Sequence, residues 1–295
     1  MRSANSLGKA LRKKLYAIYQ ELENHELEEI KKDDGLKSNI IDDPIFSIAI
    51  ISNNSFTVAA PPKYICKSLL RDYYYGISRI NKQWENTTLL SKQESIAWAV
   101  ISAYYCSFFS AIEAIRICGT HLLTLSTDEA TKIFTSLGGP HAHSLISRRN
   151  FKGVISSDFS KIGYIANGEK PHQSAWNQLH KDVLSLIPES DTSLNEITKF
   201  KNMCKGKQGW ELPSEIRNRW NYRNPMYFSS LGKASSSPFN KIISDQSIAS
   251  DWIRSMVSIR DEKDSAASIA TLTQLLYGAL QDSYEYGFSD TFNIN

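Results

Sequence analysis

The chain has 295 residues, 41% hydrophobic and 11% aromatic, which is enough to bury a sizeable core and excludes disorder over most of its length. The net charge of +3 is weak for this size, so it neither implies nor excludes a nucleic-acid partner, and any basic signal must be local. Four cysteines without CxxC spacing (Cys66, Cys106, Cys118, Cys204) read as buried thiols in a reducing, cytoplasmic compartment rather than as a disulfide scaffold or zinc site.

The opening, "MRSANSLGKALRKKL", lacks the apolar core of a signal peptide. Residues 6–32 read as a long amphipathic helix, with Leu11, Leu15, Ile18 and Leu22 at helical spacing and "DDG" at its end. Its charges run from basic to acidic, against the helix dipole, so packing or a partner must hold it. Residues 44–62, "PIFSIAIISNNSFTVAAPP", are β-branched around an "SNNS" turn and predict a small β-hairpin. Residues 1–62 thus form an N-terminal arm of helix and hairpin.

Helical patterning returns at residue 63, where Ile65, Leu69, Tyr73 and Ile77 follow at four-residue steps. The adjoining Tyr74 and Tyr75 read as a helix contact or a stacking surface. Ser91 and Glu94 have capping-box spacing and open a helix over 92–118, with Gly119 suited to the C′ position. Residues 95–112 of this helix carry no charge, near the lower length limit for a membrane span. Four serines and two tyrosines within them predict a central buried helix and no membrane. Ser126 and Glu129 form a second capping box, for a short helix ending at Gly138-Gly139-Pro140. Residues 138–172 read as a basic, loop-like segment. A helix follows over 173–187, and Ser193 with Glu196 offers a third box. Pro213 starts a helix over 213–223, which Asn224-Pro225 ends. Residues 229–241 read as a flexible connection and 245–288 as two further helices. The fold class is mainly α, with a core over 63–230 and C-terminal helices, 231–295, packed on it.

Two stretches hold chemistry. "RNRWNYRNP", residues 217–225, packs three arginines and three asparagines around Trp220 and Tyr222. On a helix, Arg219 and Arg223 share a face. With Arg217 and Asn218 they can present donors to phosphates beside an aromatic plate for a base. The structural alternative turns Ile216 and Trp220 inward and pairs Arg217 and Arg219 with acids on other helices. The second stretch is "GGPHAH", where His141 and His143 alternate beside Arg148 and Arg149. On an extended loop the two imidazoles point to one side, as proton carriers, as metal ligands for which no third ligand lies nearby in sequence, or as exposed loop residues. His180 reads as a boundary residue one turn after Trp176, His121 as a residue past a helix end, His172 as a loop residue, and His25 as part of a polar helix face. No paired-carboxylate or metal-ligand set stands out, and no cofactor or metal is expected.

"WAVISAYYCSFFSAIEAIRICG" resembles the first core helix of HEPN-type bundles, through Ala103, Tyr104, Tyr105, Phe108, Ala111, Ala114 and Gly119. "LPSEIRNRWNYRNP" is similar to the later helix of that family, which carries an arginine, a polar residue and then a histidine. The resemblance covers roughly residues 90–230. It implies a four- or five-helix bundle, often a homodimer, in which the arginine and histidine of two subunits cut RNA. Arg217 and Asn218 match the first two positions, and Arg223 stands where the histidine belongs. A guanidinium keeps its proton at working pH, so Arg223 can hold charge but not relay a proton. The expectation is therefore a HEPN-like component of a bacterial-type defence or toxin system that contacts RNA without the standard cleavage site. One alternative is a non-enzymatic adaptor or dimerisation protein binding a partner protein. Another is a metal-free RNase that uses His141 or His143.

Overall fold

The structure, a computed structural model, describes residues 2–22, 30, 34–93, 95–188, 194–223, 225–229, 232 and 237–287. It is mainly helical, with one five-stranded antiparallel sheet among the described residues. In chain order the elements are α1 (Arg2–Tyr19), α2 (Leu36–Asp42), β1 (Ser47–Ser52), β2 (Ser55–Ala59), α3 (Pro62–Lys92), α4 (Ile96–Ile117), β3 (Thr120–Thr124), α5 (Thr127–Leu137), α6 (Ala142–Ile146), β4 (Asn150–Ile155), β5 (Lys161–Ala166), α7 (Pro171–Gln178), α8 (Leu194–Lys205), α9 (Pro213–Asn218), α10 (Ser237–Ser244), α11 (Gln246–Ser255) and α12 (Glu262–Gly287). The chain forms two compact units, each built from separated stretches. One, the helical unit, comprises Met1–Arg12, Gly76–Ala114 and Trp176–Tyr286. The other, the sheet unit, comprises Lys13–Tyr75, Ile115–Ala175 and Gly287–Asn295.

In the sheet unit the strand order is β1-β2-β5-β4-β3, every neighbour antiparallel. The expected hairpin is β1–β2, turning at Asn53-Asn54. It is the edge of a larger sheet, because β3, β4 and β5 come from residues expected to be a helix end and a loop. Their period-two burial is visible afterwards: Phe151, Gly153 and Ile155 turn inward on β4, as do Ile162 and Tyr164 on β5. The inward face closes on Phe56, whose ring lies 5.1 Å from Phe134 of α5, 5.1 Å from Phe151 and 4.8 Å from Tyr164. The other face is open, with Val154 and Ile165 well exposed.

Gly153 masked the β4 signal, and the fold requires it. It pairs with Tyr164 across the strands, and an added Cβ would sit 2.8 Å from Tyr164 Cδ1 and 2.9 Å from Ile162 Cγ2. Gly153→Ala is expected to cost about 1–3 kcal/mol by overpacking, measured by urea denaturation. A variant as stable as wild type would contradict this packing.

The helical unit is organised around α4 and α12. The inner side of α4 is made of small and aromatic residues, Ala99, Ala103, Tyr104, Ser107, Ala111 and Ala114, all buried. Small residues let helix backbones approach closely: the Thr273 hydroxyl of α12 donates to the Ala103 carbonyl at 2.9 Å. Buried polar groups end other helices. The Gln274 amide donates to the carbonyls of Ile242 and Ile243 at the end of α10, and the Lys199 ammonium to those of Ile253 and Arg254 on α11. Each supplies a donor to carbonyls that a helix end leaves orphaned. α4 is long and apolar enough to cross a membrane, but 72% of its apolar window is buried within the fold, as a core helix requires.

Several boundaries move. α1 ends at Tyr19, with Leu7, Leu11, Leu15 and Ile18 buried in one stripe. Most of the rest of the expected 6–32 helix, including His25, lies outside the described residues. Ser91 lies inside α3, where its hydroxyl donates to Asn240, so it does not cap α4. Glu94, Ser193 and Asn224 lie outside the described residues. The Ser126–Glu129 box forms in full, and Gly119 takes the positive φ of +88° expected past a helix end. The connection expected over 229–241 contains the start of α10.

Candidate nucleic-acid interface

The nonamer folds differently from the single helix expected over 213–223. Pro213 occupies the first turn of α9, where its missing N–H costs nothing. The α-helix stops at Asn218, a wider π-helical turn spans Arg219–Arg223, and a 3₁₀ turn follows over Pro225–Phe228. Ile216 and Trp220 go inward, and the Trp220 ring stacks on Tyr227 at 4.2 Å between centroids. Arg219 and Arg223, four residues apart, have different surroundings: Arg219 is half-buried and Arg223 exposed.

Arg219 is fully engaged. Its Nη1 donates to Glu211 Oε1 at 2.9 Å, and its Nη2 to Glu211 Oε2 and to Ser265 Oγ, while Nε lies 3.0 Å from Glu262 Oε2. This is the forked arginine–carboxylate geometry that makes strong charge-assisted bonds. The bonds from Arg219 hold the Glu211 carboxyl below its ordinary range. Arg219 therefore ties the π turn to Glu211 and to α12, and leaves the phosphate-facing set.

Arg217 lies over two tyrosines of α4, 5.4 Å from the Tyr104 ring centroid and 5.6 Å from that of Tyr105, in cation–π range. Its Nε is buried with no hydrogen-bond partner among the described residues. Tyr104 also packs on Trp176 of α7, with ring centroids 6.0 Å apart. Burial pushes the Tyr104 phenol up to about 12, with the Trp176 indole and the Arg217 charge pulling it partly back, so it stays neutral. The two stretches that carry the resemblance thus meet in the helical unit. Arg217 faces aromatic rings there; no imidazole is among its contacts in the described residues.

Outward, the segment presents Tyr222, 72% exposed, together with Arg223 and Met226. The exposed Phe228 ring packs edge-on against exposed Trp98 of α4, 5.4 Å between centroids. Asn218 is half-buried.

The histidine pair belongs to the sheet unit and is not on an extended loop. His141 caps α6 and His143 lies within it, so about 200° of helical rotation separates them. Both are exposed, but they do not point to one side, and the shared orientation wanted for proton relay is lost. His141 lines an open, mostly apolar groove with Ile48, Ile50, Leu137 and Pro140. Arg148 is exposed after α6, and Arg149 donates to Thr127 Oγ1 at 2.8 Å. Among the described residues no three metal-ligating side chains cluster.

His121 is a strand residue, fully buried on β3, with Nδ1 2.6 Å from the Tyr164 hydroxyl. Burial, aided by the Arg116 charge, lowers its pKa to about 3. The cysteines form no disulfide among the described residues; Cys66, Cys106 and Cys204 are buried, and burial pushes their pKa up. One group escaped the sequence reading: His180 lies in a π-helical turn, Leu179–Val183, on which α8 packs, and the charges of Lys181, Lys201, Lys205 and Lys207 act on its ring. The lysines are spread over 27 positions and show no motif until the fold gathers them.

Comparison with protein-family models, curated proteins and solved structures finds no match for this chain.

Proposed function

We propose that this chain is a HEPN-like protein, of the kind that serves bacterial-type defence or toxin systems, which grips single-stranded RNA without the standard arginine–histidine cleavage pair. The observation that carries the reading is the outward set of Tyr222, Arg223 and the Trp98–Phe228 pair. Tyr222, Arg223 and Phe228 belong to a segment held from within by Arg219 and Trp220, and Trp98 joins them from α4 through its contact with Phe228. Exposed rings stack on bases whatever their identity, and a free guanidinium serves the backbone. Neither needs a proton relay, which Arg223 cannot provide.

The test is affinity for a single-stranded oligoribonucleotide across a salt series. Tyr222→Ala is expected to weaken binding about 5–150-fold, the range set by one base–aromatic stack. Arg223→Ala should weaken it and reduce the slope of log affinity against log salt by about one. Both variants should melt like wild type, because neither side chain is buried. Binding that is absent, or indifferent to salt, overturns the RNA reading.

A second reading is favoured by the apolar part of the same surface. Trp98, Met226 and Phe228 with Arg223 match the aromatic, methionine and arginine enrichment of protein interfaces. Its occupant would be a partner protein or a second copy of this chain. Sedimentation distinguishes the two readings: a salt-insensitive dimer that Trp98→Ala with Phe228→Ala dissociates supports the adaptor.

A further inference from the structure

α8 buries Ile197, Phe200, Met203 and Cys204 and packs on the π-helical turn that carries His180 and Lys181. Lys201 and Lys205 stand one turn apart on α8, both half-buried. Past its end the chain closes in a Schellman motif: the Gly206 N–H donates to the Met203 carbonyl at 3.3 Å and the Lys207 N–H to the Asn202 carbonyl at 3.1 Å. Gly206 takes φ +59°, and an added Cβ would stand 2.8 Å from Leu212 Cγ, so this reversal and the placement of Lys207 are built in.

Lysines at a helix C-terminus ordinarily serve its free carbonyls. Here the motif's own amides already satisfy the Met203 and Asn202 carbonyls. None of Lys181, Lys201, Lys205 and Lys207 forms an ion pair among the described residues. The neighbouring acid, Asp182, is engaged by Gln178. Like charges one turn apart repel, so such a cluster has an electrostatic cost that an anion would relieve. Burial and all four ammonium groups, Lys205 foremost, hold the His180 imidazole below its ordinary pKa. Its Nδ1 is sealed from solvent and takes no hydrogen bond among the described residues, so a ligand reaches the ring through Nε2.

We propose that Lys181, Lys201, Lys205 and Lys207, with His180, form a binding site for a phosphate group on the helical unit. Lysine ammoniums act as point charges toward phosphate, and the imidazole adds one directed donor. The site stands on its own geometry; only its use for RNA backbone phosphate rests on the function proposed above.

The experiment follows the His180 imidazole of the full chain by NMR through a pH series, with inorganic phosphate or with sodium chloride at equal ionic strength. Phosphate is expected to raise the His180 pKa by about one unit, as a nearby opposite charge does, and chloride by much less. Lys201→Gln with Lys205→Gln should remove most of that rise while leaving the melting temperature within a degree or two. Lys161→Gln, on β5 of the sheet unit, should leave the rise intact. Equal responses to phosphate and chloride, or a double variant that responds like wild type, overturn the site. A single-stranded oligoribonucleotide forms the third arm. If phosphate moves His180 and the oligonucleotide does not, the site stands for free or small-molecule phosphate and its use for RNA fails. If the oligonucleotide binds while phosphate leaves His180 unmoved, the RNA reading survives and the site is wrong.

Discussion

Trp220→Ala is expected to destabilise the protein by about 3–5 kcal/mol, the range for truncating a fully buried tryptophan. Trp220 has no exposed surface, stacks on Tyr227 at 4.2 Å, and lies one turn after the buried Ile216. Removing it opens a cavity beneath the π turn, next to the Arg219 fork that ties the turn to Glu211 and Glu262. The measurement is the urea midpoint and slope of the variant, beside Tyr222→Ala two residues away. Tyr222 is mostly exposed, so its truncation should change stability by no more than about 0.5 kcal/mol. This contrast separates anchor from surface within one nonamer. Two variants of equal stability would mean that the segment is not seated as described, and the outward set proposed for RNA would lose its frame.

Acid is expected to weaken the fold through His121 before the carboxylates titrate. Its pKa falls from an ordinary value near 6.5 to about 3 in the fold, because the neutral ring is buried beside Tyr164 and the Arg116 charge. A depressed histidine pKa means that the unfolded chain takes up the proton first. Above pH 6.5 both states hold neutral imidazole and the group has no effect. Below it, stability is lost at about 1.4 kcal/mol per pH unit, down to about pH 3. At pH 5 the loss from His121 is about 2 kcal/mol. Denaturation at pH 7.5 and pH 5.0 should show wild type losing that much more than His121→Gln, whatever the variant's starting stability. His180, also lowered, contributes equally to both proteins and cancels. Parallel losses would show that the His121 ring reaches solvent.

Helices were legible wherever burial and spacing agree along one element. The four-residue steps of Ile65, Leu69, Tyr73 and Ile77 all lie buried on α3, and the uncharged 95–112 stretch became a core helix. The Ser126–Glu129 box was legible because capping bonds span only three residues. The sheet was not. β4 and β5 alternate correctly, but each carries a glycine that reads as a break, and β3 follows a helix end too closely to stand out. Strand pairing joins β2 to β5 across a hundred residues, and no local window contains that partner.

For the candidate site the division is the same. By itself the sequence determined that the 217–225 segment is rich in donors and rings, and that Arg223 within it is a group that keeps its proton. Only the tertiary structure decided which arginine faces what. Arg219 meets carboxylates on Glu211 and Glu262, Arg217 meets two tyrosines a hundred residues earlier, and Arg223 is exposed. It likewise gathered four lysines around His180 and turned His141 away from His143. The physical reason is range. Caps and hydrophobic stripes are set within a turn or two of backbone, whereas the partner of a charge is set by which distant elements pack beside it.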